Sequence, residues 1–191
     1  MSEKKRYWRC HVCNDIHFGV KPPETCPTCG MRNAFVLCDQ PEADRIFELA
    51  RDKNVWRCSR CDDMHLGAKP MPQCSSCASA AKYVSVSREE AGPMMRPVDY
   101  TLSAPDEVLA AWDEFVGRNG RIRLWEERGS VQQLSVGVLE NVKNKGLKYC
   151  PCRVPLDDPV KDLKLICPCN FLAQQTWKEH GECWCGLFRK R

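Results

Sequence analysis

The pattern of hydrophobic and polar positions predicts helices in the C-terminal part of the chain. Apolar residues recur there at the three- and four-residue spacing of amphipathic helices. The stripes consist of Val108, Leu109, Trp112, Phe115 and Val116, then Val131, Leu134, Val138, Leu139 and Val142, then Leu172, Ala173 and Trp177. We expect Ser130 to cap the second helix and the third to run from Asn170 to His180. The C-terminal domain is therefore predicted to be small and mainly α.

The N-terminal part has shorter patterns. The pairs Tyr7-Trp8 and Val55-Trp56 predict strand starts, and the acidic residues before Ile46 predict a short helix. Gly92, Pro93 and Pro97 predict a loop. The expected fold class is multidomain α+β, with a small β-rich module over 1–40, a helical linker over 41–53, a second module over 54–88, a linker over 89–102 and the C-terminal domain over 103–191.

Residues 8–29 and 56–77 are copies of one another. They align without a gap at an offset of 48 residues, and half of their positions are identical. Both have the spacing C-x2-C-x12-C-x2-C. The N-terminal part therefore contains an internal duplication.

Each copy carries four cysteines at a spacing that suits one tetrahedral metal ion. Two sulfurs converge from each Cys-x-x-Cys turn, with bonds to the ion of about 2.3 Å. The residue after each turn is expected to adopt a positive φ, which suits Gly30, Asn14 and Asp62, whereas Ala78 is the exception. The predicted ligands are Cys10, Cys13, Cys26 and Cys29 in site 1, and Cys58, Cys61, Cys74 and Cys77 in site 2.

A disulfide framework is the alternative use of so many cysteines. The start of the sequence has no apolar stretch typical of a secretory signal, so we expect a cytoplasmic protein with reduced thiols. No apolar run approaches the roughly 20 residues of a membrane span, and no membrane partner is expected. The formal charge of +4 falls to about zero once twelve thiolates and their metals are counted, which gives little support to nucleic-acid binding.

Each copy resembles the short rubredoxin domain at the end of rubrerythrins, with its W-x-C-x-x-C…G…P-x-x-C-P-x-C pattern. Cys26-Pro27-Thr28-Cys29 matches fully, whereas Cys74-Ser75-Ser76-Cys77 lacks the proline. The resemblance covers roughly residues 6–38 and 54–86. It implies one mononuclear iron per module, cycling between ferric and ferrous. Zinc is the alternative metal, because a four-cysteine site accepts both.

Three other residues of this part could take part in chemistry. His17 and His65 occupy matching positions in the two copies. Four thiolates already fill each site, so we expect surface or packing roles for both histidines. Cys38 has no partner at metal spacing and is expected to be a buried structural thiol.

Six further cysteines form three Cys-x-Cys pairs within 36 residues. The motifs are Cys150-Pro151-Cys152, Cys167-Pro168-Cys169 and Cys183-Trp184-Cys185. Six thiols are too many for one ion. A four-iron cluster takes four of them, which leaves the two that a redox disulfide needs.

This arrangement resembles the catalytic chain of ferredoxin:thioredoxin reductase, which has two Cys-Pro-Cys motifs and one Cys-His-Cys motif. The stretch from Lys148 to Arg153 matches the approach to its first motif, and the likeness covers about residues 100–190. The resemblance implies that Cys152 is an exposed nucleophile and that Cys185 is its disulfide partner. It also implies a [4Fe-4S] cluster held by Cys150, Cys167, Cys169 and Cys183.

Two features depart from that family. The intervals between motifs, 14 and 13 residues, differ from the plastid-type pattern. Trp184 stands where the family has a histidine taken to carry a proton, and an indole cannot replace it in that role. His180 is a candidate substitute, although a surface position at a helix end is the simpler interpretation.

The resemblance favours an enzyme, a ferredoxin-dependent disulfide reductase of an anaerobe. Single electrons would pass from a ferredoxin-type donor through the cluster to the disulfide, and then to a thioredoxin-like protein or a small disulfide. Rubredoxin irons usually have more positive potentials than ferredoxin clusters and dithiols, so we expect the donor to reach the cluster directly. Two alternatives stay open, a non-catalytic electron carrier and a zinc-ribbon interaction protein.

Overall fold

The computed structural model describes residues 4–92, 95 and 97–191, so Pro93 of the predicted linker lies outside the described residues. The chain forms two compact units, one ending at Tyr100 and the other beginning at Thr101. Strands dominate the first unit and helices the second, so the prediction of a multidomain α+β protein is confirmed. The finer division into five segments stays a prediction.

The first unit is built on six short strands. They are β1 (Arg6–Cys10), β2 (Ile16–Gly19), β3 (Phe35–Cys38), β4 (Asn54–Cys58), β5 (Met64–Gly67) and β6 (Tyr83–Val86). They form one antiparallel sheet in the order β3-β1-β2-β5-β4-β6. The strands predicted at Trp8 and Trp56 are confirmed as β1 and β4. The two copies meet at the centre of the sheet, where β2 pairs with β5 and His17 lies opposite His65.

A helix follows the strands of each copy. Helix α1 (Gln40–Leu49) confirms the predicted short helix, and Asp39 caps it by accepting from the Glu42 amide at 3.2 Å. Helix α2 (Arg88–Ala91) begins 48 residues later, and Ser87 caps it by accepting from the Glu90 amide at 3.0 Å. Because the helices and their caps recur at the offset of the repeat, the duplication extends beyond the segments recognised in the sequence.

The second unit contains four helices and a two-stranded ribbon among its described elements. These are α3 (Pro105–Gly117), β7 (Ile122–Leu124), α4 (Arg128–Lys145), α5 (Pro159–Asp162), α6 (Gln175–His180) and β8 (Phe188–Lys190). The apolar stripes of α3 and α4 supply buried residues, as predicted. The predicted cap Ser130 is wrong. The helix begins earlier because the Glu127 carboxylate accepts hydrogen bonds from the amides of Gly129 and Ser130.

The third predicted helix is interrupted. A 3-10 turn covers Phe171–Ala173, and α6 begins only after Gln174, whose backbone is extended. Gly181 ends the helix at φ 74°. Phe188 stacks on Phe171 with ring centroids 5.2 Å apart and meets Phe115 edge-on at 5.8 Å, so an aromatic core fixes this segment beside the ribbon. No helix in the described part of the chain has the length and apolar composition needed to cross a bilayer.

Candidate metal and redox site

The four predicted ligands of each N-terminal site are brought together. Within each set all four sulfurs lie within 4.8 Å of one another. The Sγ–Sγ distances include 3.7 Å for Cys10–Cys29, 3.5 Å for Cys13–Cys26, 3.8 Å for Cys58–Cys77 and 3.5 Å for Cys61–Cys74. A tetrahedron with metal–sulfur bonds of about 2.3 Å has edges of about 3.8 Å. Both sets therefore fit one tetrahedral iron or zinc ion.

The backbone of each cysteine turn has the conformation expected from the sequence. The residues after the turns have φ of 57° at Asn14, 74° at Gly30, 58° at Asp62 and 57° at Ala78. Each also donates its amide to the carbonyl of the first cysteine of its turn, at 2.8 to 2.9 Å. Ala78 thus adopts the left-handed conformation without the residue type that favours it, and site 2 keeps the geometry of site 1.

The two sites differ in the hydroxyl groups near their sulfurs. At site 2 the Tyr83 hydroxyl lies 3.6 Å from Cys74 Sγ, and the residue at the matching position of the first copy is Phe35. The Ser79 hydroxyl lies 3.4 Å from Cys77 Sγ and lowers the pKa of that thiol to about 6, whereas the first copy has Met31 there. Site 2 therefore has more polar surroundings. Comparing the copies at the offset of 48 would have revealed both residues.

In the second unit, backbone pairing brings the first two Cys-x-Cys motifs side by side. The amide of Cys150 donates to the Leu165 carbonyl at 2.7 Å, and the amide of Cys167 donates to the Lys148 carbonyl at 2.8 Å. The third motif is held by the strand that follows it, because the Cys183 amide donates to the Phe188 carbonyl at 2.9 Å. Three separate loops thus present their cysteines to one region.

Three sulfurs from these loops form a close group. The Sγ atoms of Cys150, Cys152 and Cys185 all lie within 4.8 Å of one another, and those of Cys150 and Cys185 are 3.0 Å apart. Cys150 is buried, Cys185 is half-buried and Cys152 is exposed. The other three predicted ligands, Cys167, Cys169 and Cys183, fall outside the group of three. Hydrogen bonds from Cys169 and Cys185 lower the pKa of Cys150 to about 3, because they favour a single thiolate at its position.

Gln174 joins two of the motifs and was missed in the sequence. Its Nε2 donates to Cys169 Sγ at 3.0 Å, and its Oε1 accepts from the Trp184 amide at 2.9 Å. The side chain is 4 % exposed, so both bonds are shielded from water. The sequence carries no signal for this role, since the interruption of the third helix at Gln174 is seen only in the structure.

Trp184 and His180 occupy different kinds of position. The guanidinium of Arg153, next to Cys152 in the chain, lies 3.7 Å from the centre of the Trp184 ring, a cation–π contact. His180 ends α6 with an exposed side chain 3.7 Å from the Glu179 carboxylate. This is the surface position at a helix end that was the simpler interpretation of its sequence.

Close packing also fixes the Cys150–Cys152 loop against α4. A Cβ atom placed on Gly137 would lie 3.0 Å from Cβ of Pro151. The absence of a side chain at Gly137 therefore lets the middle of the first motif approach the helix.

Two comparisons with known protein families agree with this geometry. Residues 117–191 match the family described as ferredoxin thioredoxin reductase catalytic beta chain. Residues 8–35 match the family described as rubrerythrin, rubredoxin-like domain, and the second four-cysteine site repeats it in three dimensions. A search of the curated proteins finds no match.

The chain thus joins a reductase-type segment, residues 117–191, to two rubredoxin-like knuckles, which are the modules around site 1 and site 2. The family matches and the cysteine sites together indicate an iron–sulfur redox protein with metal-binding knuckles. In the reductase-type segment, the six cysteines supply thiols of the kind that bind iron–sulfur clusters.

Proposed function

We propose that the protein is a disulfide reductase that takes single electrons from a ferredoxin-type donor. Cys152 and Cys185 would form the redox disulfide, and Cys150, Cys167, Cys169 and Cys183 would hold a [4Fe-4S] cluster. The observation that carries the proposal is the group of three sulfurs within 4.8 Å in a segment that matches the reductase family. The targets are thioredoxin-like proteins or small disulfides, and the expected compartment is the cytoplasm.

The two cysteines of the disulfide have different tasks. Reduction of the Cys152–Cys185 bond takes two electrons and two protons, and a bound cluster would supply the electrons one at a time. Cys152 is the exposed member, so its thiolate attacks the target disulfide, forms a mixed disulfide and expels one target thiolate. The thiolate of Cys185 then attacks Cys152 Sγ, restores the internal disulfide and releases the second target thiolate.

The surroundings of Cys152 affect both its ionisation and its proton supply. Burial and the neighbouring Cys150 raise the pKa of Cys152, while Cys185 and the Arg153 guanidinium oppose that rise. The indole N–H of Trp184 donates hydrogen bonds but does not ionise near neutral pH, so Trp184 supplies no acid group. Since Cys152 is exposed, water can protonate the thiolate that the target releases.

In this proposal the knuckles hold one iron each and act as an electron store or side entry. Two irons hold two electrons, the number that one disulfide needs. Rubredoxin irons usually have more positive potentials than ferredoxin clusters and dithiols, so a relay through the knuckles would be uphill. For the two-electron reduction of the disulfide, a mismatch of about 30 mV in potential costs about 1.4 kcal/mol, and direct access of the donor to the cluster avoids this cost. Rapid mixing with a reduced donor should show the cluster reduced before the ferric knuckles bleach. The reverse order would contradict direct access.

A pair of cysteine variants tests the catalytic proposal. Anaerobically purified protein is assayed with a reduced ferredoxin-type protein and a thioredoxin-like disulfide. Cys152→Ser should abolish reduction of the target while iron and sulfide contents stay unchanged. Cys38→Ala is the matched control, because this buried cysteine lies outside the predicted sites and should leave the activity intact. Activity retained in Cys152→Ser would instead favour an electron carrier.

A further inference from the structure

Four buried residues lie where the two copies meet in the sheet. Asp15 and His17 come from the first copy, Asp63 and His65 from the second, and each is 0 % exposed. The two imidazoles face each other across the β2–β5 pair, with ring centroids 6.1 Å apart. We name these four residues the His–Asp quartet. The sequence indicated surface or packing roles for the histidines; both are fully buried, and the arrangement itself was not predicted.

The contacts within the quartet are crossed between the copies. Nε2 of His17 lies 3.7 Å from an Asp63 carboxylate oxygen, and Nε2 of His65 lies 3.4 Å from an Asp15 oxygen. Each histidine thus faces the aspartate of the other copy. Neither ring nitrogen of His65 has a hydrogen bond of good geometry to any described residue, so its contact with the Asp15 carboxylate is electrostatic.

The proton position on His17 follows from its neighbours. Ser75 donates its hydroxyl hydrogen to the Lys21 carbonyl at 2.8 Å, so it accepts at its oxygen from Nε2–H of His17 at 3.0 Å. Burial lowers the pKa of His17 to about 3, which keeps the ring neutral. The imidazole therefore presents a fixed N–H dipole on the side of Asp63.

Each aspartate also contacts a metal-site cysteine of its own copy. Cys26 Sγ lies 3.4 Å from Asp15 Oδ2, and Cys74 Sγ lies 3.5 Å from Asp63 Oδ2. A thiol donates to the carboxylate in this geometry, but metal binding removes the thiol proton and leaves a thiolate beside a carboxylate. The added negative charge of a reduced iron is then disfavoured, so groups that offset the aspartate charge raise the reduction potential.

The lysines that offset these charges are crossed as well. Lys5 precedes β1 of the first copy, yet its Nζ lies 3.1 Å from Asp63 Oδ1 and donates to the Cys61 carbonyl at 2.6 Å. Lys53 precedes β4 of the second copy, and its Nζ lies 2.8 Å from Asp15 Oδ1. Each site therefore takes its compensating charge from the chain segment of the other copy.

Two glycines leave the space that the quartet occupies. A Cβ atom on Gly19 would lie 2.4 Å from His17 Nε2 and 2.5 Å from Asp63 Oδ2. One on Gly67 would lie 2.5 Å from His65 Nε2 and 2.6 Å from Asp15 Oδ2. Contacts this short are not tolerated, so glycine at both matching positions is a condition of the crossed pairs.

We propose that the histidine and lysine of each copy set the reduction potential of the iron held by the other copy, acting through the aspartate beside that iron's cysteine ligand. Each site takes one electron from a one-electron reductant, and ferric iron becomes ferrous. The inference rests on the proposed iron occupancy of the knuckles. The two histidines and two lysines are positioning residues, because they act on the metal only through the aspartates beside Cys26 and Cys74.

The test is a potentiometric titration of the full chain reconstituted with iron, followed by the visible absorption of the ferric knuckles. The titration curve has one reduction step for each site. Ser79→Ala identifies the step of site 2 by shifting it, since this hydroxyl lies beside Cys77 alone among the knuckle cysteines of the described residues. Lys5→Met should weaken reduction of site 2 about tenfold, a shift of about 59 mV to lower potential, and leave site 1 in place. Lys53→Met should shift site 1 by a similar amount and leave site 2 in place.

Two further variants separate tuning from folding. His65→Leu should lower the potential of site 1, and His65→Gln, which keeps a donor, should recover most of the shift. Lys4→Met is the matched control, because Lys4 pairs with exposed Asp99 and should move neither step. If His65→Leu fails to fold, the two lysine variants decide the question.

Reduction potentials that stay unchanged, or that shift at the site of the mutated residue's own copy, would overturn the proposal that each copy tunes the other. They would leave the proposed rubredoxin-type function untouched. Knuckles that accept no iron would overturn both this inference and the proposed rubredoxin-type function, so the two failures are distinguishable by the iron content of the same sample.

Discussion

Exchanging alanine and glycine between the two cysteine turns tests the backbone argument for the knuckles. Ala78 follows the last cysteine of site 2 at φ 57°, and Gly30 occupies the matching position of site 1 at φ 74°. A non-glycine residue in the left-handed conformation destabilises the folded state by about 1–2 kcal/mol. Replacing it with glycine removes this strain but also makes the unfolded chain more flexible, which offsets about 0.4–1 kcal/mol of the gain. Ala78→Gly should therefore stabilise the first unit by about 1 kcal/mol.

The reciprocal change has the opposite sign. A Cβ atom on Gly30 would meet no atom within 4 Å, so Gly30→Ala should cost about 1 kcal/mol through the backbone alone. For a unit of about 100 residues, each change corresponds to a shift in Tm of about 4–6 °C in opposite directions. Thermal unfolding of the metal-loaded chain, followed by circular dichroism, measures both.

A third variant supplies the control for the loss of a methyl group. Ala80 is an exposed residue of the same knuckle that is not among the positive-φ positions of the described residues. Ala80→Gly should destabilise the unit by about 0.5 kcal/mol, because glycine only adds freedom to the unfolded chain. Equal effects of Ala78→Gly and Ala80→Gly would refute the argument from backbone conformation.

Three other predictions follow from the sites. Tyr83→Phe should lower the reduction potential of site 2 by about 40 mV through loss of a hydrogen bond of about 1 kcal/mol to Cys74, and potentiometry showing no shift would contradict this. Gln174→Ala should speed loss of the cluster absorbance in air about tenfold, since Cys169 and the Trp184 amide lose their shared hydrogen-bond partner. An unchanged rate would contradict this role of Gln174. Chelation should unfold the strands of the first unit and spare the helices of the second, as seen by far-ultraviolet circular dichroism, whereas strands that persist without metal would contradict metal-dependent folding.

The sequence was sufficient to predict the features that depend on local pattern. Cysteine spacing identified both knuckle sites, and the positions after each turn have the predicted positive φ. Apolar periodicity located the helices α3 and α4, whose buried stripes follow the 3.6-residue repeat. Such features need few residues, all close together in the chain, to determine the outcome.

Features that depend on packing between distant segments were missed. N-cap preference favours Ser130, yet the Glu127 carboxylate accepts from the amides of Gly129 and Ser130 and starts the helix earlier. The pairing of β2 with β5 places His17 beside Asp63, 46 residues away in the chain. Gln174 bridges the loops that carry Cys169 and Trp184, which are separate in the chain. Each of these needs the tertiary arrangement, which the sequence pattern does not contain.

The pairing of the cysteines in the reductase-type segment is the central claim, and peptide mapping tests it most directly. Protein purified without oxygen is quenched in acid, its free thiols are blocked with N-ethylmaleimide, and the digest is analysed by fragmentation mass spectrometry. Cys150 and Cys152 share one tryptic peptide, so fragmentation between them is needed to assign the bond. The account predicts a Cys152–Cys185 disulfide, with Cys150, Cys167, Cys169 and Cys183 blocked as free thiols. A bond from Cys150 to Cys185, the pair whose sulfurs lie 3.0 Å apart, or six blocked thiols would contradict it.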